Sequence, residues 1–189
     1  MGTLRLARES DAPALLAIYA QYIHTPITFE YDLPAPAEFQ ARVRDILAFY
    51  PYLVWEEAGD ILGYAYAHRQ AERAAFGWNA ELSVYLDRTA VGRRAGRRLY
   101  GALLELLRLQ GIRTAYGLVT APNPASEALH AAMGFQRMGV QPRAGYKAGA
   151  WRDLIWFIRP LADCGPDPAP PRPLAALPPE TVAAVLAGA

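Results

Sequence analysis

Residues 91–111 read VGRRAGRRLYGALLELLRLQG, a glycine-bearing turn that runs without a break into a leucine-striped helix closed by Gly111. Just before it, NAELSVYLD at 79–87 alternates with the two-residue period of a strand. Strand, glycine turn and helix N-terminus together constrain the chain strongly. The helix must pack back on the sheet through Leu99, Leu103, Leu106 and Leu107, and its first-turn amides are left without intrahelical acceptors at an electropositive helix end. Gly92 and Gly96 let a ligand approach the backbone, and Arg93, Arg94, Arg97 and Arg98 offer charge-assisted contacts to an anion. From these residues alone two readings stay open: a cradle for a phosphorylated small molecule, and a solvated arginine face. The Walker pattern GxxxxGK[ST] and the dinucleotide pattern GxGxxG are both missing.

The rest of the chain sets the fold class. TLRLAR at 3–8 alternates like a half-buried strand; Ser10 and Asp11 offer N-caps to a helix carrying Leu15, Ile18, Tyr19 and Tyr22 on one face. PITFEYDLPAP leads to a second helix with Phe39, Val43, Ile46 and Leu47. YPYLVWEEAGDILGYAYAHR reads as a hairpin turning near Gly59-Asp60, TAYGLVT as a strand, and PASEALHAAMG as a short helix. GFQRMGVQP and RDLIWFI read as two closing strands. Helices between strands in some places and hairpins in others predict an α/β (α+β) fold, a mixed sheet of about seven strands with four main helices on both faces. That body is residues 1–161. Residues 162–189 form a Pro-rich tail, with seven prolines between 166 and 179 predicting an extended linker and ETVAAVLAG a possible short helix.

Composition narrows the partners. The 189 residues carry a formal charge of only +1, so the arginine cluster is local chemistry and not the field of a nucleic-acid binder. No apolar run reaches the length of a membrane span, and the N-terminus shows neither a signal-peptide pattern nor a myristoylation site, with Leu6 where Ser or Thr would be needed. Cys164 is the only cysteine. No internal disulfide is possible, and a cytoplasmic location is expected.

With the neighbouring segments added, the sequence resembles the GNAT superfamily of N-acetyltransferases, and within it the phosphinothricin acetyltransferase group. The pyrophosphate loop of that superfamily, Arg/Gln-x-x-Gly-x-Gly/Ala, falls on Val91, Gly92, Arg93, Arg94, Ala95 and Gly96. Val91 replaces its basic residue and Arg94 its first glycine, so Arg94 needs a backbone adjustment. NAELSVYL resembles the group's signature strand, NPASEALHAAMGF its Asn-x-x-Ser-x-x-Leu-His-x-x-x-Gly-Phe helix, and GYKAGAWRD its Gly-Tyr/Phe-Lys-x-Gly-x-Trp-x-Asp signature. TFEY at 28–31 matches a less distinctive piece near the amine site. The match spans about residues 4–158.

The resemblance implies acetyl transfer from acetyl-CoA to a small-molecule amine, directly through a ternary complex, with no metal and as a homodimer. It places Glu81 as general base, on the polar side of its strand with Ser83 and Tyr85. His130 occupies the slot of a proton carrier, its direction of transfer open. Val84, Tyr85 and Leu86 would align the pantetheine arm and supply an oxyanion donor, the 92–97 loop (Gly92, Arg93, Arg94, Ala95, Gly96 and Arg97) would hold the pyrophosphate, and Asn123 would contact the arm or cap its helix. Phe29, Glu30, Arg73, Tyr146, Lys147 and Trp151 would finish the acceptor pocket, Arg73 and Lys147 suiting a carboxylate, phosphinate, sulfone or sulfoximine. Phosphinothricin, methionine sulfoximine and methionine sulfone are the expected acceptors. The alternatives are another amine (a polyamine, an antibiotic or a protein N-terminus) and a non-catalytic acyl-CoA sensor.

Overall fold

Seven strands form one sheet in the order β1-β2-β3-β4-β5-β7-β6. The computed structural model describes residues 2–189. The strands are β1 (Thr3–Leu6), β2 (Tyr52–Glu57), β3 (Asp60–Arg69), β4 (Asn79–Leu86), β5 (Thr114–Ala121), β6 (Gln136–Lys147) and β7 (Ala150–Pro160). The helices are α1 (Ala12–Ala20), α2 (Pro36–Leu47), α3 (Ala95–Gln110), α4 (Pro124–Ala132) and α5 (Pro179–Gly188). Among the neighbouring pairs only β4 and β5 run parallel, so the sheet is mixed as expected.

Each element follows from its local chemistry. The turn between β2 and β3 places Ala58 and Gly59 both at positive φ, 53° and 91°, the twist a two-residue hairpin needs. Helix α3 buries Leu99, Leu103, Leu106 and Leu107 completely, each burial contributing roughly 2 kcal/mol. It ends at Gly111, whose φ of 96° is costly for any residue with a Cβ. Asp11 takes the N-cap position of α1, but its side chain makes no cap bond there. Ser10 and Asp11 sit in a 3₁₀ turn, where the Asp11 carboxylate accepts the Arg8 amide at 2.8 Å and pairs with Arg5 at 2.7 Å. The two closing strands are longer than their hydrophobic patterns suggest and meet at a tight turn, Ala148-Gly149.

Helices α1 and α2 cover one face of the sheet, over a core containing Leu15, Tyr19, Phe39, Val43, Tyr52 and Tyr64. Helix α3 covers the other, over Leu53, Ala65, Leu82, Val119 and Phe157. The proline-rich segment is extended, as its composition dictates, and it lies docked on the body. Leu174, Leu177 and Val182 enter the α3-side core. The Gln110 carboxamide nitrogen donates to the Phe49 and Arg172 carbonyls at 2.8 and 2.9 Å, and the Trp78 indole N–H to Ala169. No helix among the described residues is long and apolar enough to cross a membrane.

Candidate active site

The site opens where two strands part. β4 and β5 pair only from Asn79↔Thr114 to Leu82↔Gly117. Beyond that point β4 stays with β3 as far as Leu86, and β5 stays with β7 as far as Ala121. The edge of β4 at Val84–Leu86 therefore faces a gap instead of a neighbouring strand. A cleft of about 490 Å³ fills this gap, with Val84, Tyr85 and Leu86 on one wall, Asn123 and Leu129 on the other, and the 91–97 loop at its end. A narrower slot of about 60 Å³ continues inward past Ser83, Tyr100 and His130.

At the loop end, the first helical bonds of α3 run from the Arg97 and Arg98 amides to the Arg94 carbonyl. The Ala95 and Gly96 amides precede them and are the free donors of this helix end. Gly92 (φ 86°) has open space around it, and Val91, Gly92, Arg94, Gly96 and Arg97 line the cleft. Arg93 does not; it leans away to Glu57 at 3.4 Å. Ala95 is buried in the core, which leaves its amide as the part able to serve a ligand. Free amides, two arginines and an unpaired strand edge fit a diphosphate joined to an extended amide-bearing arm, the chemistry of coenzyme A. The departure at Arg94 has a visible consequence: it adopts φ 64°, the left-handed region. We expect Arg94→Gly to be more stable to urea than Arg94→Ala by about 1 kcal/mol, since alanine keeps the strain and glycine releases it. Equal stabilities would mean that no strain is stored there.

Two titratable groups approach from opposite faces of the sheet. Glu81 lies on the α1/α2 face, half-buried, and the loss of solvent raises its pKa while His68 opposes the rise. His68 is its cross-strand partner, with Nε2 3.8 Å from the carboxylate and Nδ1 2.9 Å from the Arg69 carbonyl. On the α3 face His130 is fully enclosed, stacked on Phe157 at 4.9 Å and edge-on to Tyr100 and Phe135. Its Nδ1–H donates to the Ser126 carbonyl at 2.8 Å, which leaves the Nε2 lone pair for the Tyr100 hydroxyl at 3.3 Å. Burial lowers its pKa, so it is neutral over a wider range than a free imidazole. Asn123 caps α4, accepting the Ser126 amide at 3.2 Å, and also lines the cleft.

The residues expected on the acceptor side divide. Phe29 packs on Gly145, and Tyr146 and Trp151 form an exposed edge-on pair 5.6 Å apart on the β6–β7 hairpin. Glu30 receives Arg42 at 2.6 Å and the Tyr19 hydroxyl at 3.0 Å. Lys147 does not present its charge to a pocket. It is buried, and its ammonium donates to the carbonyls of Ile23 (2.8 Å) and Glu30, tying the hairpin to the α1–α2 loop. Arg73 stands apart, exposed ahead of a 3₁₀ turn between β3 and β4. Sequence reasoning passed over His68 and Tyr100. His68 shares a face with Tyr64 and Tyr66 by strand alternation, and the Gly59 turn sets the β2–β3 hairpin, but the register that puts it opposite Glu81 is a property of β3 and β4 together.

The fold and the splayed, amide-capped cleft define an acetyl-coenzyme-binding class, and residues 4–156 match the Acetyltransferase (GNAT) domain family. The chain belongs to that family. It is 40% identical over 162 residues to a phosphinothricin N-acetyltransferase of Alcaligenes faecalis, covering 84% of this chain and 82% of that protein. It is 34% identical over 161 residues to an L-methionine sulfoximine/L-methionine sulfone acetyltransferase of Pseudomonas paraeruginosa, covering 82% and 92%. The crystal structure of a GNAT superfamily phosphinothricin acetyltransferase from Sinorhizobium meliloti, in complex with AcCoA, superposes with a TM-score of 0.84 at 32% identity, covering 95% of this chain and 97% of that one.

Proposed function

We propose that this chain is an acetyl-CoA-dependent N-acetyltransferase acting on the α-amine of a small amino-acid analogue of the kind its relatives are named for: phosphinothricin, methionine sulfoximine or methionine sulfone. The observation that carries this reading is the meeting of two features on β4. One is the cleft leading from the free amides of α3 to the splay; the other is the half-buried carboxylate of Glu81 on the same strand.

Acetyl-CoA supplies the activated acetyl group. The Ala95 and Gly96 amides, with Arg94 and Arg97, hold its pyrophosphate. The unpaired edge at Val84–Leu86 gives main-chain partners to the extended arm, and an amide there receives the negative charge that develops on the carbonyl oxygen. An ammonium has no lone pair, so Glu81 removes a proton before attack. His68, whose Nδ1 is held by the Arg69 carbonyl, places Nε2 beside Glu81 on the exposed side, where the proton can leave toward solvent. On the other face neutral His130 fixes the Tyr100 hydroxyl at the wall of the inner slot, where the thiolate departs. Nothing in this sequence of steps needs a metal. The reading includes a homodimer, for which the outer strand β6, with Met138 and Val140 exposed, is the supporting surface.

The test is acetyl-CoA-dependent thiol release against a panel of amines. Release is expected with at least one of the three amino-acid analogues and not with spermidine, an aminoglycoside or a peptide N-terminus. Coenzyme binding without release on any amine would make the chain an acyl-CoA sensor instead.

A further inference from the structure

Residues 162–189 lie beyond the 4–156 family match, and they follow α3 from its last turn to its first. At the C-terminal end the Gln110 carbonyl accepts the Arg172 amide at 2.9 Å, the Gln110 carboxamide holds the Arg172 carbonyl, and Pro171 lies against Gly111. Farther on, Leu174, Leu177 and Val182 join the core that holds Leu103 and Leu106, and α5 packs on both α3 and β1. At the N-terminal end Arg98 meets Ala189. Its Nε donates to the Ala189 main-chain oxygen at 2.6 Å, and its guanidinium lies over the Trp55 ring of β2, 4.7 Å from the centroid.

Arg98 joins this strap to the coenzyme loop. Arg94 and Arg97 line the cleft, whereas Arg98 lines a separate hollow of about 380 Å³ with Gly2, Leu4, Ala183 and Leu186. While its side chain serves the strap, its own amide makes one of the first bonds of α3, to the Arg94 carbonyl at 3.2 Å. That bond closes the turn carrying the free Ala95 and Gly96 amides. The turn needs support from outside. Arg94 sits at φ 64°, Gly92 has open space around it, and Val91 is exposed. A strained residue persists only where its surroundings over-determine it. The Arg93–Glu57 contact is an exposed ion pair at 3.4 Å and holds weakly. Arg98, half-buried, holds on two sides at once, to β2 and to the strap.

We infer that Arg98 is a positioning residue for the coenzyme, and that the docked strap acts through it to hold the pyrophosphate turn in its binding shape. Docking of α5 and uptake of the coenzyme then favour each other, because each is easier once the turn is fixed. The inference rests on the acetyl-CoA reading above and concerns the binding step alone.

Calorimetry with acetyl-CoA, in the absence of any amine, compares wild type with Arg98→Met and Val182→Asn. Methionine keeps an apolar stem over Trp55 and loses the bond to Ala189. Asparagine sets an uncharged amide in the apolar contact of α5 and lifts the helix without altering charge. Each variant should raise Kd about fivefold, the low end of the usual coupling between two sites. A loss of global stability alone would not do so, since the folded population keeps its affinity. By reciprocity, acetyl-CoA should slow hydrogen exchange of the α5 amides about fivefold in wild type and not in Arg98→Met. No α5 residue lines the cleft, so direct shielding is not the cause. A Kd raised in Arg98→Met but unchanged in Val182→Asn would be an effect of charge and would overturn the strap. Exchange in wild-type α5 that ignores the coenzyme overturns it as well, even where neither variant folds. Both of these results leave the acetyltransferase reading standing, whereas a wild type that binds no acetyl-CoA overturns the two together.

Discussion

Glu81→Gln is expected to lower turnover by roughly 10²–10⁴-fold, the range for loss of a positioned general base, while leaving coenzyme affinity within about twofold. Glutamine keeps the shape and the polarity but cannot take a proton. Coenzyme binding is spared because Glu81 is not among the residues that line the cleft. The pH profile carries the sharper signature. Burial raises the Glu81 pKa and the proximity of His68 lowers it, so the wild-type kcat/KM should rise with pH through a value above the ordinary carboxylate range. The direction follows from the role: the base works ionised, so activity is lost as pH falls through the raised pKa. Burial and the Glu81 charge both push the phenols of Tyr66 and Tyr100 up, so these stay neutral there. His68→Gln removes the charge that opposes the rise, and its acidic limb should move to higher pH with coenzyme affinity unchanged. A Glu81→Gln enzyme that turns over at the wild-type rate across the whole pH range would reject the base, and an unmoved limb in His68→Gln would reject the pairing.

The side of the strand that Glu81 takes and the helix start at the cleft were legible because they rest on local signals. The alternation of NAELSVYL fixes which side Glu81 takes, and the glycine turn before LYGALLELL fixes where a helix starts. What escaped depends on register and on distant backbone. His68, Tyr52, Tyr64 and Tyr66 gather only when β2, β3 and β4 are paired, and a bulge between Trp55 and Glu56 shifts that register within the β2–β3 hairpin. Lys147 reads as an anion-binding charge in its motif. The carbonyls it satisfies belong to Ile23 and Glu30, more than a hundred residues away, and nothing near position 147 announces them. Arg93 reads with its neighbours as a phosphate contact until the β2 strand brings Glu57 beside it. The tail shows the same limit. Its prolines state that it is extended, but docking depends on Leu174 and Leu177 finding the edge of the α3 core, and two leucines among prolines make no periodic pattern.

Gly117→Ala should be among the most destabilising single-methyl additions available in this chain. Gly117 closes the parallel pairing of β4 with β5, and a Cβ there would overlap Nε2 and Cδ2 of His130. The imidazole has nowhere to withdraw. Phe157 stacks on one side of it, Tyr100 and Phe135 press edge-on, and Nδ1 is held by Ser126. Overpacking of this kind costs about 1–3 kcal/mol, which for a chain of this length lowers Tm by roughly 2–4 °C per kcal/mol. His130→Ala alone should also destabilise, by about 2–4 kcal/mol, because it empties a packed aromatic box. The two changes relieve each other: without the ring, the new methyl has room and fills part of the void. Urea unfolding of the two single variants, the double variant and wild type should therefore give a double-variant loss smaller than the sum of the singles, by about 0.5–3 kcal/mol. Strict additivity would mean that the ring does not sit on the glycine. His130 would then be free to move within the slot, and its hydrogen bond to Tyr100 could not be what fixes that hydroxyl beside the departing thiolate.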